Sequence, residues 1–271
     1  MWPDDLPPCF HIVLSPPKPR GRAVLLHGWN QSHRSWMRTA TCLRDVLSLE
    51  VLLLDFYNHG ESPTLPNRML HCSETLCRQV RAVLVHLGWH DSQLTLAGCS
   101  MGGAVALHYF ASWPEMITRM IFVAGAGLDE PAWVPSVFLG KLVSLIFGRP
   151  PAIRLDSDTN TGRAWTSLAD APEASTLASL LARFTFPATA PAYRVPPDII
   201  ARLSKARVGI TVVSAGLDLL HTPHHDVWQQ YPGVKILHYP WMDHTRMTLS
   251  ISHLRLWEYP EAWIGSITSK L

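Results

Sequence analysis

The sequence predicts an α/β fold: a mostly parallel central sheet flanked by helices, with a helical cap inserted over it. Three observations lead there. Short runs of branched apolar residues recur along the chain, and segments with helical periodicity separate them. Between about Leu128 and Pro197 that rhythm stops, and prolines punctuate short helical stretches instead. Parallel strands covered on both faces appear as continuous apolar runs, and joining them requires crossovers long enough to hold a helix.

The predicted strands follow in order: Ala23–Leu26, Val51–Leu54, Leu94–Ala97, Met120–Val123, Gly209–Val213 and Val234–Leu237. Each is compact and apolar enough to be buried. Helices are predicted at Ser35–Ser48, Ser73–Leu87 and Met101–Ser112, with a final one from about Leu249 to Ser269. In the second of these, Ser73 caps the start, Glu74 suits the first turn, and Leu76, Val80, Val83, Leu84 and Leu87 form an apolar stripe. That helix is scaffold. The break in rhythm divides the chain into a core, residues 1–128 and 198–271, and a cap, residues 129–197. The cap is rich in apolar side chains such as Trp133, Phe138, Leu142 and Phe147, suited to lining a pocket for an apolar substrate or to packing the cap on the core.

Composition bounds the function. A chain of 271 residues buries a substantial core as one catalytic domain. Its 23 Lys and Arg balance 21 Asp and Glu to a net charge of +2, with no dense basic tract, so nucleic acid is not an expected partner. Charged residues make up 16%, below the usual share of about a quarter, which fits a large apolar pocket or contact surface. Five cysteines, at 9, 42, 72, 77 and 99, lack CxxC pairing, so a reducing compartment is expected. The first residues show no basic region followed by a long apolar core, and no apolar run approaches the ~20 residues of a membrane span. A cytoplasmic protein without a transmembrane segment is the expectation.

The strongest local signal is Gly98-Cys99-Ser100-Met101-Gly102, a G-x-S-x-G motif directly after a predicted strand and before a predicted helix. In that setting the motif is a nucleophile elbow. The tight turn projects Ser100 Oγ, and small neighbours let strand and helix approach. Met101 opens the following helix, whose backbone N–H groups point where an oxyanion would develop. Leu25-Leu26-His27-Gly28-Trp29 ends an earlier strand in a glycine turn, and the N–H of Trp29 is the candidate second oxyanion donor. His27, His59 and Ser62 are assigned to turn packing.

His27-Gly28 through Trp36, Asp55 through His59-Gly60-Glu61-Ser62, and Gly98 through Gly103 together resemble successive motifs of the α/β-hydrolase superfamily, in its serine hydrolase, esterase- and lipase-like branch. The resemblance extends to the C-terminal part. There Ile210–Val213 leads through Ser214-Ala-Gly-Leu to Asp218, where this family places its acid, and Tyr239-Pro-Trp-Met-Asp leads to His244, where it places its base. It implies a catalytic triad of Ser100, Asp218 and His244, in the chain order of this fold. It also implies acyl transfer to water from a small, apolar ester without cofactor or metal, since a serine at the elbow excludes the carboxylate-nucleophile branches.

Alternatives stand beside this. Asp129, after the strand ending in Val123, is the rival acid; His238 and His253 are the rival bases; Asp243 is assigned to a loop. Cys99 sits one residue before the apex and is assigned to the core. His221, His224, His225 and Asp226 form a cluster, but adjacent imidazoles project in different directions and no second ligand pair has suitable spacing, so no metal is expected. Thioester or carbon–carbon bond hydrolysis uses the same machinery, and ligand sensing by a retained triad is the non-enzymatic alternative. Substrate-binding residues and oligomeric state are not specified by the sequence.

Overall fold

The computed structural model describes Trp2 and residues 5–29, 31–65, 73–125, 198–216, 225–242, 244–249 and 251–264. The expected cap, residues 129–197, lies outside these. Among the described residues seven strands form one sheet: β1 (His11–Leu14), β2 (Gly21–Leu26), β3 (Leu49–Leu54), β4 (Leu94–Cys99), β5 (Ile117–Val123), β6 (Gly209–Ala215) and β7 (Lys235–Tyr239), in the order β1-β3-β2-β4-β5-β6-β7. From β3 to β7 all neighbours run parallel, and β1 alone is antiparallel, its His11–Leu14 opposite Leu54–Val51.

The six predicted strands are all present, and β1 is an addition. His11–Leu14 is short and half-buried, and Pro16 and Pro17 follow it. It therefore lacks the continuous apolar run that marks a buried parallel strand, and prolines beside it suit a sheet edge.

Helices cover both faces: α1 (Met37–Leu47), α2 (Ser73–His86), α3 (Met101–Ser112), α4 (Ile199–Ala206), α5 (His225–Gln229), α6 (His244–Leu249) and α7 (Pro260–Ile264). Alternate side chains of each strand point to opposite faces, which gives two cores. On one face Val24, Leu26, Leu52 and Leu96 pack under α2, α3 and α4. On the other, Leu25, Val51, Leu53 and Ile121 pack under Trp36, Leu43 of α1 and the C-terminal segment. The change of face follows the strand order. From β2 the chain crosses by α1 to β3 on one side, then returns past β2 and builds outward from β4 on the other, as right-handed crossovers require.

The single final helix predicted from Leu249 is not formed. After α6 the chain makes 3-10 turns at Ile251–His253 and Leu256–Glu258 before α7, and residues 265–271 lie outside the described part. Arg255 takes a left-handed conformation (φ 48°), and Pro260 can only open a new helix because it has no N–H to donate. The apolar residues Ile251, Leu254, Leu256 and Trp263 are all buried. An irregular path along the sheet buries them where one straight helix would not.

Candidate active site

Because β2 to β7 are parallel, the loops at their carboxyl ends share one edge of the sheet. The order reverses between β2 and β4, and the crevice at such a switch point is where open α/β sheets bind ligands. The His27-Gly28 turn leaves β2 at that crevice, and Ser100 leaves β4.

Ser100 stands between β4 and α3 with φ 48° and ψ −117°, a strained conformation for a residue bearing a side chain. Backbone bonds on either side hold it there: its N–H donates to Val123 O on β5 at 2.9 Å, and its carbonyl accepts from Gly103 N at 2.8 Å. The glycines are obligatory. A Cβ on Gly98 would collide with the Gly102 carbonyl, and one on Gly102 would collide with the Leu26 carbonyl at the end of β2. Strand, helix and the neighbouring strand thus meet backbone to backbone under Ser100.

His244, the first residue of α6, presents Nε2 to Ser100 Oγ at 3.0 Å across 144 residues of chain. Both residues are buried, 5% and 9% exposed, so little bulk water competes for this contact. A neutral imidazole accepts the serine hydroxyl proton at that distance. The rival bases are placed elsewhere. His238 on β7 is exposed and bonded to Ser214 Oγ at 2.9 Å, and His253 is exposed in a 3-10 turn.

The turn after β2 lies against the elbow: a Cβ built on Gly28 would be 3.3 Å from both Ser100 Cβ and the Cys99 carbonyl. His27 is buried, with Nε2 accepting from Phe56 N at 3.0 Å, so Nδ1 carries the proton it donates to Gly28 O at 2.8 Å. Both ring nitrogens are engaged within the turns, as the packing role predicts. Met101 is fully buried at the start of α3, and half-buried Trp29 sets its ring edge-on to His59 at 5.6 Å. Cys99 is fully buried among Ala97, Ile121 and Val123, on the face opposite α3.

The sequence pattern of the α/β-hydrolase-fold family matches residues 24–162, just over half of the chain. The chain belongs to that family. In this chain the matched span runs from Val24 within β2 through β5 and holds the glycine turn and the elbow. It is 35% identical over 109 residues to the dihydrolipoyllysine-residue acetyltransferase component of an acetoin cleaving system from Pseudomonas putida, covering 40% of this chain and 27% of that protein. It is 28% identical over 116 residues to a human serine hydrolase-like protein, covering 42% of this chain and 53% of that one. The chain therefore spans between about a quarter and about half the length of these relatives. A thermophilic esterase from Thermogutta terrifontis shares the fold, with a TM-score of 0.62 at 16% identity over 92% of each chain.

Of the predicted site residues, the structure brings Ser100 and His244 into contact and sets the glycine turn before Trp29 against Ser100. Asp218 and its rival Asp129 lie outside the described residues, as do Asp243, His221 and His224 and the side chains of His225 and Asp226. Among the described residues no helix is long and apolar enough to cross a membrane.

Two pairings around the site have no sequence signature of their own. Asp55, fully buried at the end of β3, accepts from His33 Nδ1 at 2.9 Å and from the N–H groups of His33 and Glu61. Burial works against its ionisation, but the His33 bond and the two N–H donors from Glu61 and His33 outweigh it and hold its carboxyl below the ordinary value. Ser62 and Gln79 join the same turn by bonding the Asp55 carbonyl. Gln31 makes the second unpredicted link: its Oε1 accepts from Gly28 N at 2.7 Å and its Nε2 donates to Thr248 O at 2.8 Å.

Proposed function

We propose that this protein is a hydrolase that cleaves a carboxylic ester, or a related acyl bond, of a small apolar substrate through a Ser100–His244–Asp218 triad. The observation that carries the reading is the 3.0 Å contact between His244 Nε2 and the hydroxyl of a serine strained at the apex of a strand-to-helix turn. A serine hydroxyl is a weak nucleophile until a base takes its proton.

In this mechanism Ser100 Oγ attacks the acyl carbon while His244 Nε2 takes its proton. The carbonyl oxygen gathers negative charge, which the N–H groups of Trp29 and Met101 stabilise. His244 then protonates the leaving alcohol and an acyl-enzyme remains. Water, deprotonated by His244, attacks that ester and restores Ser100. Asp218 orients the imidazole and balances its charge. Its assignment is supported by position, since β6 ends at Ala215 at the edge where Ser100 and His244 meet. The apolar side chains of the expected cap, such as Trp133 and Phe138, are proposed to suit such a substrate. No cofactor takes part in this scheme.

The test is labelling by a fluorophosphonate together with hydrolysis of p-nitrophenyl esters of increasing chain length. Native protein is expected to label and turn over, and Ser100→Ala to do neither while folding normally. Asp218→Asn is expected to reduce kcat by up to about 10⁴-fold, and Asp129→Asn to leave it near native. Native protein that neither labels nor turns over would overturn the reading and favour ligand sensing in the same crevice.

A further inference from the structure

We infer that Gln31 is a positioning residue that sets the alignment of nucleophile and base by clasping the turn beside Ser100 to the helix that carries His244. This rests on the proposed roles of Ser100 and His244 and adds a residue to that machinery. Gln31 is buried, 9% exposed, and sits between two groups of fixed polarity. Gly28 N can only donate and Thr248 O can only accept, so the carboxamide has one orientation here, Oε1 toward Gly28 and Nε2 toward Thr248. The backbone of the same turn closes on itself, Gln31 N donating to Gly28 O at 3.3 Å.

Each end of the clasp acts on one reacting group. At one end, Gly28 rests against Ser100, 3.3 Å from Ser100 Cβ to a Cβ built on the glycine, and the next residue is Trp29, the proposed oxyanion donor. At the other end, Thr248 lies one turn beyond His244 in a helix of six residues. A helix that short is not stable by itself, and its last four carbonyls have no partner inside it. Gln31 satisfies one of them from the opposite side of the site, 217 residues away in sequence. Movement of α6 along or about its axis moves His244 directly, because His244 is its first residue. The carboxamide is thus a rigid spacer between the oxyanion turn and the base.

The test measures steady-state p-nitrophenyl ester hydrolysis and the rate of fluorophosphonate inactivation in native protein, Gln31→Leu and Gln31→Glu, with urea unfolding of each. Gln31→Leu is expected to lower kcat by about 10- to 100-fold with KM changed by less than about threefold, since misalignment affects the chemical step more than binding. Gln31→Glu still accepts from Gly28, but as a carboxylate it opposes the Thr248 carbonyl. Once protonated it donates to that carbonyl, so its inactivation rate relative to native is expected to rise as pH falls from about 8 to about 5.5. That ratio decides the matter even if Gln31→Leu fails to fold. A folded Gln31→Leu with kcat within about twofold of native, a loss confined to KM, or a pH-independent Gln31→Glu ratio would overturn the inference while leaving the triad standing. Native protein without labelling or turnover would overturn both.

Discussion

Ser100 takes a backbone conformation that costs about 1–3 kcal/mol, and its neighbours meet that cost with two backbone hydrogen bonds and two glycines. The result is a side chain held at a sheet edge with little freedom to turn away from His244. Gly102→Ala tests how tightly the elbow is built. The added methyl overlaps the Leu26 carbonyl, so the variant is expected to lose about 1–3 kcal/mol in urea unfolding and to label with fluorophosphonate more slowly than native protein. Thiols nearby play a different part. Among the described residues Cys9, Cys42, Cys77 and Cys99 form no disulfide, and burial pushes the Cys9 thiol up to about 11, so it remains protonated in neutral solution.

The turns after β2 and β3 hold each other in place. Asp55 closes the β3 turn by accepting from Glu61 N, and it ties that turn to the segment after β2 through His33. An asparagine keeps one acceptor oxygen but turns an amide donor toward the N–H groups that the carboxylate received, so Asp55→Asn is expected to cost about 1–3 kcal/mol in urea unfolding. The pH dependence has a definite sign. A carboxyl held below its ordinary value in the fold contributes stability that is present above about pH 4 and is lost as pH falls through the lowered value. Asp55→Asn is therefore expected to show a flatter fall in urea midpoint on the acid side than native protein. An unchanged acid-side slope would mean that Asp55 does not carry this charge linkage.

Across the molecule, the C-terminal segment completes the second core and latches onto the strand that bears the elbow. Thr95 of β4 donates to the Trp263 carbonyl at 2.7 Å, and the buried Trp263 ring donates to Leu256 O at 2.9 Å. Trp263→Ala opens a cavity far from the crevice and is expected to cost about 3–5 kcal/mol. Its folded fraction is expected to label at Ser100 at close to the native rate, since the elbow's own bonds to β5 and α3 are untouched. A labelling defect as large as the stability loss would show that the sheet transmits the cavity to the site.

The sequence by itself determined the six parallel strands, the three long helices before β5 and the serine elbow, because each rests on local pattern: buried apolar runs, a period of 3.6, and a glycine motif between strand and helix. Edge strand β1 and the broken C-terminal segment escaped that logic. The first is too short and half-covered to stand out, and the second follows the curvature of the core. Only the tertiary structure decided which histidine meets Ser100. His238, His244 and His253 are close in sequence, but the parallel sheet brings the loop after β7 to the edge occupied by Ser100, and α6 turns His244 alone of the three toward it. The pairs His33–Asp55 and Gln31–Thr248 likewise join residues 22 and 217 positions apart. No local pattern encodes such a partner; it is chosen when strands align and buried polar groups must find one another.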